Sequence, residues 1–95
     1  MPIETTPFDA AEYLDTPETQ AMLLSDAFES GDAAYIKHAI GIVARARGIK
    51  DTAEAAGITR EALHRALGEK GNPRLSTILG VTKALGLTLK VEARP

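Results

Sequence analysis

Four polar residues in one short segment have the types and the spacing needed to contact nucleic acid. The segment REALHRAL, residues 60–67, places on one helical face Arg60, Glu61, His64 and Arg65. Arginine can donate to guanine or to phosphate, glutamate can accept from cytosine, and histidine can do either. We therefore predict DNA contacts on this face, with Thr59 and Lys50 as flanking contacts. The alternative is a solvated helix on which Arg65 pairs with Glu69.

The residues before this segment predict the other half of a helix-turn-helix. We expect a first helix over about 51–56, a turn over 57–59 and the second helix over 60–67. Gly57 tolerates the left-handed backbone of such a turn, and Thr59 is a natural N-cap. The residues predicted to hold the two helices together are Ala53, Gly57, Ile58 and Leu63. The second helix would then present its polar face to DNA.

The charge distribution places the basic residues where DNA contact is predicted. The chain has a net charge of −2. Residues 1–47 hold eight Asp or Glu and three Lys or Arg, a balance of −5, whereas residues 48–95 hold five acids and eight bases, a balance of +3. Phosphate binding requires a local basic patch rather than a basic chain. The acidic total is therefore compatible with DNA binding by the C-terminal half.

Apolar periodicity and capping residues predict an all-α chain of about five helices. A helix from Pro17 should end at Gly31, a second should follow Asp32 and end at Gly48, and another should cover 75–86. A short helix over 8–14 is also possible.

We divide the 95 residues into two parts with different expected roles. Residues 1–30 form an acidic helical arm that is a candidate for partner binding. Residues 31–95 form a helix-turn-helix domain with a short C-terminal strand.

The C-terminal residues alternate in a way that predicts that strand. Leu87, Leu89 and Val91 fall on one side, and Thr88, Lys90 and Glu92 fall on the other. A period of two is typical of a β-strand, and a single strand needs a partner for its backbone groups. We expect it to pair with a second copy, forming a homodimer, or with another protein; the alternative is a frayed tail.

Several classes of function are disfavoured by the composition. The absence of cysteine excludes disulfides and thiolate metal sites, and the two histidines, His38 and His64, form no metal-binding pattern. Serines without a partnering base, and isolated glycines, give no catalytic or phosphate-loop motif. The chain lacks an apolar run of membrane-spanning length and a signal sequence. We expect a cytoplasmic protein that is not an enzyme and carries no cofactor or metal.

Motifs along nearly the whole chain resemble those of the addiction-module antidote proteins, the HigA-like antitoxins with an Xre-type helix-turn-helix. The matching pieces are RARG (45–48), AEAAGITREALHRAL (53–67), GNP (71–73) and ALGL (84–87), with FDAAEYL and ESGDAAYIKHAIG upstream. The resemblance implies a lambda-repressor-like fold and a dimeric antitoxin that binds double-stranded operator DNA, represses its own operon and neutralises a small basic toxin of the RelE/ParE superfamily (HigB-like). It also implies phosphate contacts by Asn72 and Arg74.

On the basis of this resemblance, the acidic arm is a candidate toxin-binding surface. The apolar residues that could anchor a basic toxin there are Phe8, Tyr13, Leu14, Met22 and Leu23. Two alternatives remain for them: a disordered lead over 1–14, and an intramolecular core stripe of Met22, Leu23, Ala27 and Phe28. For the whole protein, the alternatives are a stand-alone repressor and an interaction module that no longer binds DNA.

Overall fold

The computed structural model describes residues 15–94, and this range folds into five α-helices. They are α1 (Pro17–Ser30), α2 (Ala33–Arg47), α3 (Ile49–Ala56), α4 (Arg60–Leu67) and α5 (Leu75–Ala84). The all-α class is confirmed. The first motif helix begins at Ile49 rather than near residue 51, and α5 ends before the predicted Gly86.

Short-range capping explains where the first two helices begin and end. Of the two predicted caps of α1, the structure uses Thr16, whose hydroxyl accepts from the Thr19 N–H at 3.2 Å. Asp32 caps α2, where its carboxylate accepts from the Ala34 N–H at 2.9 Å. These bonds satisfy N–H groups that have no partner within the helix. Gly31 follows α1 at φ 72°, a left-handed conformation that favours glycine.

All five helices contribute to one hydrophobic core. Its fully buried members are Leu24, Ala27, Ala39, Ile40, Val43, Ala53, Leu63, Val81 and Leu85. Three of the nine are alanines, which let the helix axes approach closely. Within residues 15–94, every buried side-chain nitrogen and oxygen has a hydrogen-bond partner. Helix α1 contributes residues to this core and packs directly on α2.

The face that α1 buries matches the predicted stripe at Ala27, Leu23 and Phe28, which lie in the core or against it, but not at Met22. Met22 is 71% exposed, whereas Gln20, Leu24 and Ala27 are buried. The Arg47 guanidinium donates to Gln20 Oε1 at 2.9 Å. This contact lets a polar side chain occupy the inner face. The core interpretation of Met22 was therefore wrong, while Leu23 packs at the core's edge.

The predicted C-terminal strand is absent from the described residues. Residues 87–94 are neither helix nor strand. A strand needs a second strand to take its backbone hydrogen bonds, and nothing in this stretch provides one. The Leu87 N–H instead bonds the Thr82 carbonyl at 3.0 Å, which completes the end of α5, and Arg94 reaches the Glu29 carbonyl at 3.4 Å. Val91 is 97% exposed.

No helix among residues 15–94 combines the length and apolar character needed to cross a membrane.

Candidate nucleic-acid interface

The turn between α3 and α4 is built as predicted. Gly57 has φ 76° and ψ 25°, and its N–H donates to the Glu54 carbonyl at 3.1 Å. The next residue, Ile58, donates to the Ala53 carbonyl at 3.0 Å and packs against the core. Because any side chain is strained at this φ, glycine is the residue that lets α3 stop and the chain reverse here. Ala53 is buried beneath the turn.

Helix α4 is fixed at its N-terminus by a capping residue and on its inner face by a buried leucine. The Thr59 hydroxyl accepts from the Ala62 N–H at 3.0 Å, and Leu63 is completely buried. With Leu63 inward, the opposite face must point to solvent. The exposed residues on that face are Arg60, Glu61, His64 and Arg65. The structure thus brings together all four predicted contacts.

These four side chains line one shallow, open depression on the surface. Two guanidinium groups provide donors, one carboxylate provides an acceptor, and the imidazole can serve as either. Helix α4 is already held by the Thr59 cap and by buried Leu63, so these four side chains are not required to fix it. They are therefore available to an external ligand. Base edges and phosphates present complementary groups.

Lys50 belongs to a different helix, α3. It is exposed in the first turn of α3, next to Asp51. Gly48 begins α3 without a side-chain hydrogen bond, so Asp51 does not act as a hydrogen-bonding cap there. The Asp51 carboxylate complements the positive end of the helix dipole. The accessible ammonium of Lys50 is suited to a phosphate.

The loop between α4 and α5 carries the two remaining predicted contacts, Asn72 and Arg74. Both are exposed. The loop is held from α2, where Lys37 Nζ donates to the Glu69 carbonyl at 3.0 Å and to the Gly71 carbonyl at 2.9 Å. A charged donor shared by two carbonyls fixes the loop path.

Gly71 allows this loop to pass close to α4. A Cβ atom at this position would overlap the carbonyl oxygens of Arg65 and Ala66. The overlap is with backbone, which cannot rotate away as a side chain can. The glycine of the GNP motif was a visible signal for this requirement. The role of Lys37, more than thirty residues away in sequence, had no sequence signal.

A second surface, of opposite charge, lies on α1. This helix has no basic residue and exposes Glu18, Asp26 and Glu29 around Met22. We call these four residues the α1 outer face. The Tyr35 hydroxyl of α2 donates to Asp26 Oδ2 at 2.6 Å, and this hydrogen bond to a carboxylate raises the pKa of Tyr35 above its usual value. Three predicted toxin contacts, Phe8, Tyr13 and Leu14, lie outside the described residues.

Comparison with known proteins provides independent information on function. The model of a protein family described as "Probable addiction module antidote protein" matches residues 4–93. An uncharacterised protein of Haemophilus influenzae is 39% identical over 85 residues, which cover 90% of this chain and 88% of the relative. No solved structure matches the chain.

Proposed function

The chain belongs to the family of probable addiction module antidote proteins, and from this membership we propose that it is the antitoxin of a type II toxin–antitoxin module. In this proposal it binds and neutralises a small basic toxin of the RelE/ParE superfamily, of the HigB-like kind. It also represses its own operon through an Xre-like helix-turn-helix. The protein works by stoichiometric binding in the cytoplasm, without catalysis.

The observation that supports DNA binding is the outward face of α4. A buried Leu63 and a capping Thr59 fix the helix, and the side chains that remain outside are those able to read bases. Arg60 and Arg65 would contact guanine or phosphate, while Lys50 and Arg74 would hold phosphates on either side. Two copies would place two such helices in successive major grooves, about 34 Å apart.

The α1 outer face supports toxin binding on a separate surface. A basic toxin is attracted to an acidic helix, and an exposed methionine supplies flexible apolar contact. Because α1 packs on α2, while the predicted DNA contacts lie on α3, on α4 and in the loop after α4, one chain would hold both partners at once. The assignment of toxin binding to residues 1–30 and of DNA binding to residues 31–95 is part of this proposal.

Fluorescence anisotropy tests the DNA half of the proposal. The purified protein is titrated into the duplex that lies upstream of its own gene and into a scrambled duplex, at several salt concentrations. We expect tighter binding to the upstream duplex and a steep loss of affinity with salt, because binding releases counterions from the DNA and a higher salt concentration opposes that release. Equal, weak binding to both duplexes would contradict repression by the free protein.

Co-expression tests the toxin half. The reading frame next to this gene is expressed alone and together with this chain, and growth and co-purification are measured. We expect the neighbouring protein to be small and basic, to arrest growth alone, and to co-purify with this chain when growth is restored. A chain that binds the upstream duplex but has no such neighbour would be a stand-alone repressor.

A further inference from the structure

An open groove lies between the start of α2 and the loop that joins α4 to α5. Its volume is about 260 Å³. Most of its lining is apolar, and the apolar residues are Phe28, Ala33, Ala34, Ile36, Pro73 and Ile78. The two alanines are exposed and the other four are half-buried. Because an enclosed cavity of about 150 Å³ already admits a benzene molecule, this groove has room for one large apolar side chain.

Hydrogen bonds fix both walls of the groove within the fold itself. The Tyr35 hydroxyl donates to Asp26 at 2.6 Å, which ties the start of α2 to α1. Lys37 lines the groove and donates to the carbonyls of Glu69 and Gly71, which ties the loop to α2. The Lys37 ammonium is the one charged group among the described lining residues, and these two carbonyl oxygens offset it. A concave surface that is already formed costs a partner little ordering.

The charges beside the groove favour a basic protein as its occupant. Residues 26–36, which contribute the wall on the side of α1, hold Asp26, Glu29 and Asp32 and no Lys or Arg. All three carboxylates are exposed, and the first two belong to the α1 outer face. This wall repels phosphate and attracts an apolar side chain that has Lys or Arg beside it. Residues 69–74 on the opposite side hold one acid and two bases.

We infer that this groove receives an apolar side chain of the small basic toxin. The inference rests on the proposed function and deepens it, because it adds a second anchor to Met22. The contact surface for the toxin runs from the α1 outer face, past the end of α1, to the start of α2. Among the predicted DNA contacts that the structure describes, Asn72 alone lines the groove. The groove and the outward face of α4 therefore share no residue.

A single thiol in the groove tests its occupancy, because the chain contains no cysteine. Ala34→Cys places the thiol at an exposed lining position, and Ala55→Cys places one at an exposed alanine of α3 as a matched control. Alkylation by iodoacetamide is followed by the mass of this chain, with and without the co-purifying toxin. We expect alkylation of Ala34→Cys to slow about tenfold at a toxin concentration ten times the Kd, because only unbound chains react. The rate for Ala55→Cys should stay unchanged.

Ala34→Leu tests the groove by filling it. Leucine is a good helix former, and its side chain takes the space that the toxin side chain needs. We expect toxin affinity to fall by at least about tenfold, as when an interface anchor is lost, with duplex affinity and circular dichroism unchanged. Ala55→Leu makes the same exchange on α3 and should bind the toxin as the wild type does. Equal toxin affinity of the two variants would overturn the inference.

The same measurements separate failure of this inference from failure of the proposed function. If the neighbouring protein does not bind the wild-type chain, the toxin half of the proposed function fails and this inference fails with it. If it binds and Met22→Gln weakens the binding, while Ala34→Cys reacts at an unchanged rate, the proposed function stands and the groove assignment alone is wrong. Slower alkylation of Ala34→Cys at higher concentrations of the chain itself, without toxin, would make a second copy the occupant and also overturn the inference.

Discussion

Helices α1 and α4 share one core and present opposite chemistry to solvent. Helix α1 buries Leu24 and Ala27 and exposes carboxylates around Met22, while α4 buries Leu63 and exposes two arginines. The core residues of each helix differ from those that we assign to partner binding, although Asp26 on the α1 outer face also accepts a hydrogen bond from Tyr35 of α2. In a chain of 95 residues, a single core can thus support two separate binding surfaces when each helix is fixed mainly by its inner side.

Leu63→Ala tests the dependence of both surfaces on the shared core and should have the largest effect. Leu63 is fully buried on α4, so its truncation removes apolar contacts and leaves a cavity costing about 3 kcal/mol. That is a large part of the roughly 5–15 kcal/mol stability of a domain. Urea unfolding measures the change. His64→Ala, at the exposed neighbouring position, should change stability by no more than about 0.5 kcal/mol.

Arg60→Ala should impair only the basic surface. Loss of an arginine from the recognition face should weaken binding to the upstream duplex by about 10- to 100-fold, as expected when a base or phosphate contact is removed. Neutralisation of the toxin should be unchanged. Lys90→Ala, which removes the same charge from the exposed C-terminal stretch, is the control for anisotropy. If both variants lose the same duplex affinity, Arg60 contributes only its charge and makes no specific contact.

Met22→Gln is the corresponding change on the acidic surface. We expect toxin affinity to fall by about tenfold, because an apolar anchor at an interface typically contributes more than about 1 kcal/mol. Duplex affinity should stay at the wild-type value. Val91→Gln, at another highly exposed apolar position, is the control in calorimetric titration with the toxin. If Met22→Gln retains full toxin affinity, the toxin does not bind at Met22.

Lys37→Met tests a connection from α2 to the proposed DNA-binding surface. The variant loses two hydrogen bonds to the loop carbonyls of Glu69 and Gly71, so stability should fall by about 1 kcal/mol. Duplex affinity should fall by a few-fold because the loop holds Asn72 and Arg74, and toxin affinity should not change. Lys83→Met makes the same exchange at an exposed site. If both variants bind the duplex alike, Lys37 does not position the loop.

Tyr35→Phe concerns the contact between α1 and α2 and should have the smallest effect near neutral pH. The bond to Asp26 raises the pKa of Tyr35 in the folded state above its unfolded value. The folded protein therefore holds the phenolic proton more tightly, and the resulting stability is present below the unfolded pKa of about 10 and lost as pH rises through the folded pKa. Urea midpoints across this range should decline more for the wild type than for Tyr35→Phe.

Local signals in the sequence account for much of the fold. Thr16, Asp32, Gly57 and Thr59 are used where their types predict, because a cap or a left-handed turn depends on a few neighbouring residues. The polar face of α4 was predictable for the same reason. Once Leu63 faces inward, helical geometry fixes which residues face outward.

Features that depend on distant residues were decided by the tertiary structure alone. The exposure of Met22 follows from how α1 docks on α2, and the burial of Gln20 requires Arg47. The support of the α4–α5 loop by Lys37 joins segments more than thirty residues apart. The strand predicted from the alternation over residues 87–92 was wrong, because alternation alone supplies no second strand to pair with. Periodicity describes one element, whereas burial and pairing require a second one.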